Sequence, residues 1–200
     1  MKPLILAFAL SGVLTGCATA TSSTGRTQYV GGVSQAQLNQ MGAQAFAQAK
    51  AEGPLSTDAK QNAYVRCVVD TLARQLPPRA KGTAWETAVF RNSEPNAFAL
   101  PGGKVGVNTG IFSVARSQDQ LAAVLAHEIG HVVEKHHDER ITRQMGASVL
   151  VQGLSALAGD YGQLASQSGS LLAQGGFLLP GSRAQESEAD VVGQQLMAQA

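Results

Sequence analysis

The chain holds one HExxH run, Ala126-His127-Glu128-Ile129-Gly130-His131. Four residues of helix turn through about 400°, so His127 and His131 return to nearly the same face, one turn apart. From that separation two imidazole nitrogens can reach a single metal ion. Glu128 stands beside them, where a carboxylate can take a proton from a water at the metal. The rival reading is a histidine pair that only packs a helix face. It explains less, because all 4 histidines of the chain fall between positions 127 and 137.

Two histidines do not hold a catalytic zinc; a third protein ligand is needed, with water in the fourth place. His137 is ten residues after His127, but Glu134 and Lys135 stand where a chain-reversing glycine would be needed. An unbroken helix would place His137 about 120° from the His131 direction, so it is rejected as a ligand. His136 and His137 are expected to be packing or surface groups. The better source is Arg183-Ala184-Gln185-Glu186-Ser187-Glu188-Ala189-Asp190. With Ser182 as helix cap, Glu186 and Asp190 share a face one turn apart. Glu186 can then bind the metal. Asp190 can accept a hydrogen bond from the far nitrogen of a ligand histidine and fix its tautomer. Glu188 points about 200° away and is the second choice of ligand. A solvated helical charge face is the rival for this cluster.

These side chains need helices to carry them. Ser117-Gln118-Asp119-Gln120 is a capping box, so a helix should start there and run past His131. Leu121, Leu125 and Val132 share one face of it, about a third of a turn from the two histidines. Upstream, Ser34 to Lys50 reads as a helix through Leu38, Met41, Ala45 and Phe46. A second helix, capped by Ser56 or Thr57, carries Val65, Val68, Leu72 and Leu76 and ends at Pro77-Pro78. Thr83 to Arg91, Asn96 to Leu100 and Lys104 to Asn108 read as strands, the last two forming a hairpin through Pro101-Gly102-Gly103. Between Arg143 and Arg183 the only charged residue is Asp160. That stretch, 144–182, is expected to form buried helices packed on the HExxH helix, or else a mobile lid over the cleft.

A length of 200 residues suits one domain with a small appendage, and 44% hydrophobic residues support a packed core. A net charge of +1 without a basic stripe argues against nucleic acid as a partner. Met1-Lys2 and the apolar run Leu4 to Leu14 fit a secretory signal and are too short to span a bilayer. The run ends in Leu14-Thr15-Gly16-Cys17, which resembles the bacterial lipobox. That resemblance implies a signal peptide at 1–16 and a lipidated Cys17. With Ala18 rather than Asp next, it also implies sorting to the outer membrane of a Gram-negative cell. Residues 17–33, rich in Thr, Ser and Gly, are expected to be a flexible tether. With Cys17 acylated, Cys67 has no disulfide partner and is expected in the core.

HExxH followed some fifty residues later by ExEAD resembles the HtpX and CAAX-prenyl-protease family of gluzincin zinc endopeptidases. The likeness extends over Asn96-Ala97-Phe98 with Pro101-Gly102-Gly103, Leu121 through His136, and Ser182 through Gly193. With the lipobox it is closest to the periplasmic outer-membrane lipoproteins of that family. The resemblance implies one zinc ion held by His127, His131 and Glu186, with Glu128 as base and Asp190 behind the ligands. It implies an α+β, mainly helical, zincin-like domain over 34–200, short at its C-terminus, with a small sheet or hairpin beside the HExxH helix. The expected activity is hydrolysis of unfolded or misassembled envelope proteins in quality control, alongside the envelope assembly machinery. Asn96, Ala97 and Phe98 are the candidate substrate contacts, and Tyr161 and Arg183 are weak candidates for stabilising an oxyanion. The alternative is a lipid-anchored chaperone or assembly factor that keeps the zinc fold and cleaves little.

Overall fold

Alternating side chains on three short strands organise the centre of the molecule. A computed structural model describes residues 18–158 and 181–200, with the backbone alone for Ala18 and 148–158. The expected leader, Cys17, Tyr161 and residues 159–180 of the proposed lid or packed helices lie outside the described residues. Strands β3 (Glu86–Phe90), β4 (Ala97–Leu100) and β5 (Lys104–Asn108) form one sheet in the order β3-β5-β4. β3 runs parallel to β5, and β4 pairs antiparallel with β5 through the expected turn. Val89, Ala97, Ala99, Val105 and Val107 point to one face, while Ala88, Phe90 and Leu100 point to the other. This is the two-residue period of a strand buried on both sides.

Helices cover both faces. α1 (Gln35–Glu52) starts at a Ser34–Gln37 capping box and brings Leu38 and Phe46 to the Phe90 side. α2 (Ala59–Arg74) and α4 (Gln118–Val133) pack on the Val105 side, with Val65, Val69, Leu121 and Leu125 fully buried. A short α3 (Ile111–Val114) precedes α4, α5 (His136–Ala158) follows it, and α6 (Arg183–Gln199) lies across α4. The expected mainly helical α+β class with a small sheet beside the HExxH helix is therefore what the chain adopts. Among the described residues no helix is long and apolar enough to cross a membrane.

Four local expectations are corrected. α2 is capped by Asp58, not Ser56 or Thr57; its carboxylate accepts from the amides of Lys60 and Gln61. Ser56 instead donates its backbone N–H to Val89. Cys67 is exposed, not buried. Within the run Val65-Arg66-Cys67-Val68-Val69 the helical period selects Val65, Val68 and Val69 for the core and leaves Cys67 outside.

The third correction concerns the expected tether. Described residues 18–30 form a hairpin, β1 (Ala18–Thr21) with β2 (Thr27–Val30), in antiparallel register. Thr, Tyr and Val are strand formers, and the turn closes through Ser22 N–H to Arg26 O at 2.9 Å. The hairpin is docked on α5: the amides of Gly31 and Gly32 donate to Asp138 and to the Thr142 hydroxyl, each at 2.9 Å.

The fourth concerns the unbroken helix assumed through His137; α4 does run past His131 as expected. The helix through His131 stops at Val133, and α5 restarts at His136. Between them Lys135 takes φ of 56°, the left-handed conformation usually left to glycine. No glycine marks the break in sequence; it is held from outside by Glu134. That carboxylate accepts from Ser23 N–H at 3.0 Å, from the Ser23 hydroxyl at 2.8 Å and from Arg79, while Glu134 O accepts from Gln28 at 2.7 Å. If these contacts force the conformation, Lys135→Gly keeps folding stability within about 1 kcal/mol of the parent. Lys135→Val loses about 1–2 kcal/mol, read by urea unfolding of the two variants side by side.

Candidate metal centre

Two capping boxes set the helices that bear the site. Ser117 and Gln120 start α4 as the sequence predicts, and the expected cap Ser182 starts α6 in a box with Gln185. The helices then approach closely. A Cβ on Gly130 would lie 3.0 Å from Ala189 O, and one on Gly193 would lie 3.0 Å from the His127 amide nitrogen. With no side chain at either contact, α6 comes close enough for the Glu186 side chain to reach the α4 histidines.

The three donors converge. His127 Nε2 and His131 Nε2 are 3.1 Å apart, and Glu186 Oε2 is 3.3 Å from the first and 3.6 Å from the second. Atoms bound about 2.0–2.1 Å from one tetrahedral ion stand about 3.3–3.4 Å from one another, so the trio has the spacing of a zinc-sized site. These are the residues whose ligand atoms all lie within 4.8 Å of one another among the described residues. Asp190 Oδ1 accepts from His127 Nδ1–H at 2.8 Å, which leaves the His127 Nε2 lone pair aimed at the trio. Burial, with the nearby charges of His136, His127 and Arg140, pushes His131 down to about 3, so its ring is neutral. The donor set therefore fits a divalent cation.

Glu128 lies on the same helix. Burial raises its pKa to about 7, against the opposing pull of His127, with Glu186 adding to the rise and the Ala99 N–H opposing it. A carboxyl near 7 is matched to proton transfer at neutral pH. The Ala99 amide comes from β4, the strand at the end of the β3-β5-β4 order, so that edge borders the site. Asn96 is exposed, Ala97 is buried, and the Phe98 ring packs beside Phe90 at 6.1 Å and over Gly106. The Ala97 and Phe98 side chains thus belong to the core, and what β4 offers a ligand there is backbone.

Other sequence assignments move. Glu188 is not gathered with the donors; it is buried behind them, accepting from Thr24, from Arg26 at 2.7 Å and from His136 at 2.9 Å. Burial alone would raise its pKa, but hydrogen bonds from Ser22, Thr24, His136 and Arg26 outweigh that and take it down to about 2. His136 and His137 are both buried, so neither is a surface group. His136 Nδ1 lies 2.8 Å from His131 Nδ1. Arg183 opens α6 and is exposed. Sequence reasoning missed Arg140, a half-buried guanidinium whose pKa burial lowers while Glu186 and Glu128 push the other way. It also missed Arg26. The break after Val133 turns His136 and Arg140, one turn apart on α5, toward the site, and the sequence has no glycine to signal it.

A helix with HExxH, crossed by a second helix bearing a glutamate donor, defines a metallopeptidase of the two-histidine, one-carboxylate kind. The chain belongs to peptidase family M48, whose model matches residues 59–200. That bears out the family resemblance drawn from HExxH and ExEAD. The chain is similar to the mitochondrial metalloendopeptidase OMA1 of Schizosaccharomyces pombe, 46% identical over 116 residues, 58% of this chain and 33% of that protein. It is also similar to the beta-barrel assembly-enhancing protease of Escherichia coli, 32% identical over 117 residues, 58% of this chain and 22% of that protein. The beta-barrel assembly-enhancing protease of Yersinia pestis is 29% identical over 158 residues, 75% of this chain and 32% of that protein. The chain thus spans about a third or less of the length of these curated relatives.

Asp190 is largely exposed, so its support of His127 is partly replaceable by water. Asp190→Ala is expected to weaken zinc binding by about 10-fold, the low end for such partners. Competition against a chromophoric chelator measures it.

Proposed function

We propose that this chain is a zinc-dependent endopeptidase that hydrolyses unfolded or misassembled proteins of the cell envelope. The observation that carries the reading is the convergence of His127, His131 and Glu186 within 3.6 Å, on the helix that also carries the Glu128 carboxyl. Zinc bound there supplies Lewis acidity toward a water and a substrate carbonyl. Glu128 accepts the proton of the attacking water and later delivers it to the leaving amine. Asp190 keeps the His127 ring in the tautomer that presents Nε2. The β4 edge takes an extended substrate as an added strand, through the backbone of Ala97 and the carbonyl of Ala99, whose N–H is held by Glu128. Such pairing reads main chain more than side chain, which suits substrates that are recognised because they are unfolded.

The envelope setting is supported by the lipobox-like Leu14-Thr15-Gly16-Cys17 and by the similarity to beta-barrel assembly-enhancing proteases. In this reading Cys17 carries the lipid, and the protein acts on the periplasmic side of the outer membrane near the assembly machinery. The acyl chains would then sit one residue from β1, leaving the domain close to the bilayer.

Purified protein is expected to degrade an unfolded casein-type substrate and to stop when zinc is chelated. Glu128→Gln is expected to keep zinc and lose at least about 100-fold in rate, the scale of a lost general base. Undiminished cleavage by Glu128→Gln, or cleavage indifferent to chelator, would exclude the mechanism.

A further inference from the structure

Behind His131 a line of hydrogen bonds leads out of the family-matched residues and into the N-terminal hairpin. His131 Nδ1 stands 2.8 Å from His136 Nδ1, and His136 Nε2 stands 2.9 Å from Glu188 Oε2. The side chains of His136 and Glu188 are 0% and 2% exposed. Glu188 also accepts from the Thr24 hydroxyl, from Arg26 Nε at 3.0 Å and from Arg26 Nη2 at 2.7 Å. The same guanidinium pairs in two-pronged fashion with Glu139, Nη1 to Oε1 and Nη2 to Oε2, both at 2.8 Å.

The donor inventory gives this line a direction. A carboxylate bound to an arginine and a hydroxyl is an acceptor only, so the proton between Glu188 and His136 sits on His136 Nε2. A neutral imidazole carries one N–H, so His136 Nδ1 is an acceptor. The proton in the His131–His136 bond therefore belongs to His131 Nδ1. That leaves a lone pair on His131 Nε2, which faces His127 Nε2 at 3.1 Å and Glu186 Oε2 at 3.6 Å. In the opposite tautomer His131 would aim an N–H at the metal position, and it could not ligate.

We propose that His136 is the positioning residue for the metal ligand His131, and that the N-terminal hairpin fixes both rings through Arg26 and Glu188. The inference rests on reading His131 as a ligand. It assigns to a segment before residue 59 a part in the metal centre. The hairpin's other anchors, Ser23 and Gln28 on Glu134 and the amides of Gly31 and Gly32 on α5, do not touch Glu188. Docking and relay can therefore be separated by mutation.

The experiment uses the whole chain. Zinc affinity is read by chelator competition, ligand geometry by the visible spectrum of the cobalt-loaded protein, and folding by far-UV circular dichroism. His136→Phe keeps the volume but cannot accept from His131. It is expected to bind zinc about 10- to 100-fold more weakly and to shift the cobalt spectrum. His136→Gln can accept from His131 and donate to Glu188, so it is expected to recover most of the affinity. Arg26→Met is expected to fall between these two, and Tyr29→Ala, at an exposed position of the same hairpin, to match the parent. His136→Phe and Arg26→Met that fold and bind zinc as tightly as the parent would overturn the proposal; if His136→Phe does not fold, Arg26→Met decides by the same criterion. A parent protein that binds no zinc overturns the metallopeptidase reading itself, a separate result from unchanged variants on a zinc-binding parent.

Discussion

The close crossing of α4 and α6 is the contact on which the rest of the molecule depends. Gly130 and Gly193 leave the two backbones with nothing between them, so a glutamate fifty-five residues beyond HExxH reaches two imidazoles. Three electron-rich atoms held within 3.6 Å repel one another unless a cation lies among them. The fold accepts that repulsion and stabilises it from behind: Asp190 on one histidine, and His136 with Glu188 on the other. The sheet and α2 supply the apolar mass that holds α4 still, through Leu121, Leu125 and Ile129.

The buried polar cluster behind the site is a costly arrangement. Glu139 and Glu188 are both almost wholly buried, and one arginine from the hairpin serves both. Desolvating such charges offsets most of their attraction, so the cluster contributes little net stability. Removing one partner would cost about 3–5 kcal/mol, because it strands the others. An arrangement of that kind fixes one geometry and excludes its neighbours. Here the geometry it fixes includes the break at Lys135, between the end of α4 and the start of α5.

On the open side, burial and field act on Glu128 together. Its pKa rises with burial, and the Ala99 amide that limits the rise belongs to the β4 edge that borders the site. The carboxyl and the strand edge therefore meet at one amide. The family-matched residues provide this catalytic face, while the supporting layer at the back draws on residues 18–32, which precede them.

Much of the site was legible in sequence because its parts are local. Helical spacing puts His127 and His131 on one face, and the same spacing puts Glu186 and Asp190 on another. Ser117 and Ser182 mark where those helices begin. The strands and their turn were legible through alternation and Pro101-Gly102-Gly103. What sequence left open was every decision made by contacts between distant residues. Glu188 shares a motif with Glu186, yet Arg26, Thr24 and His136 claim it for the interior. Residues 18–32 have the composition of a linker, yet 18–30 pair as a hairpin and the segment docks because α5 offers Asp138 and Thr142 to the amides of Gly31 and Gly32. The helix break carries no glycine, because Glu134 and the hairpin impose it from outside. Spacing along one helix is written in the chain itself, whereas a buried charge is assigned its role only when a partner from elsewhere arrives to neutralise it.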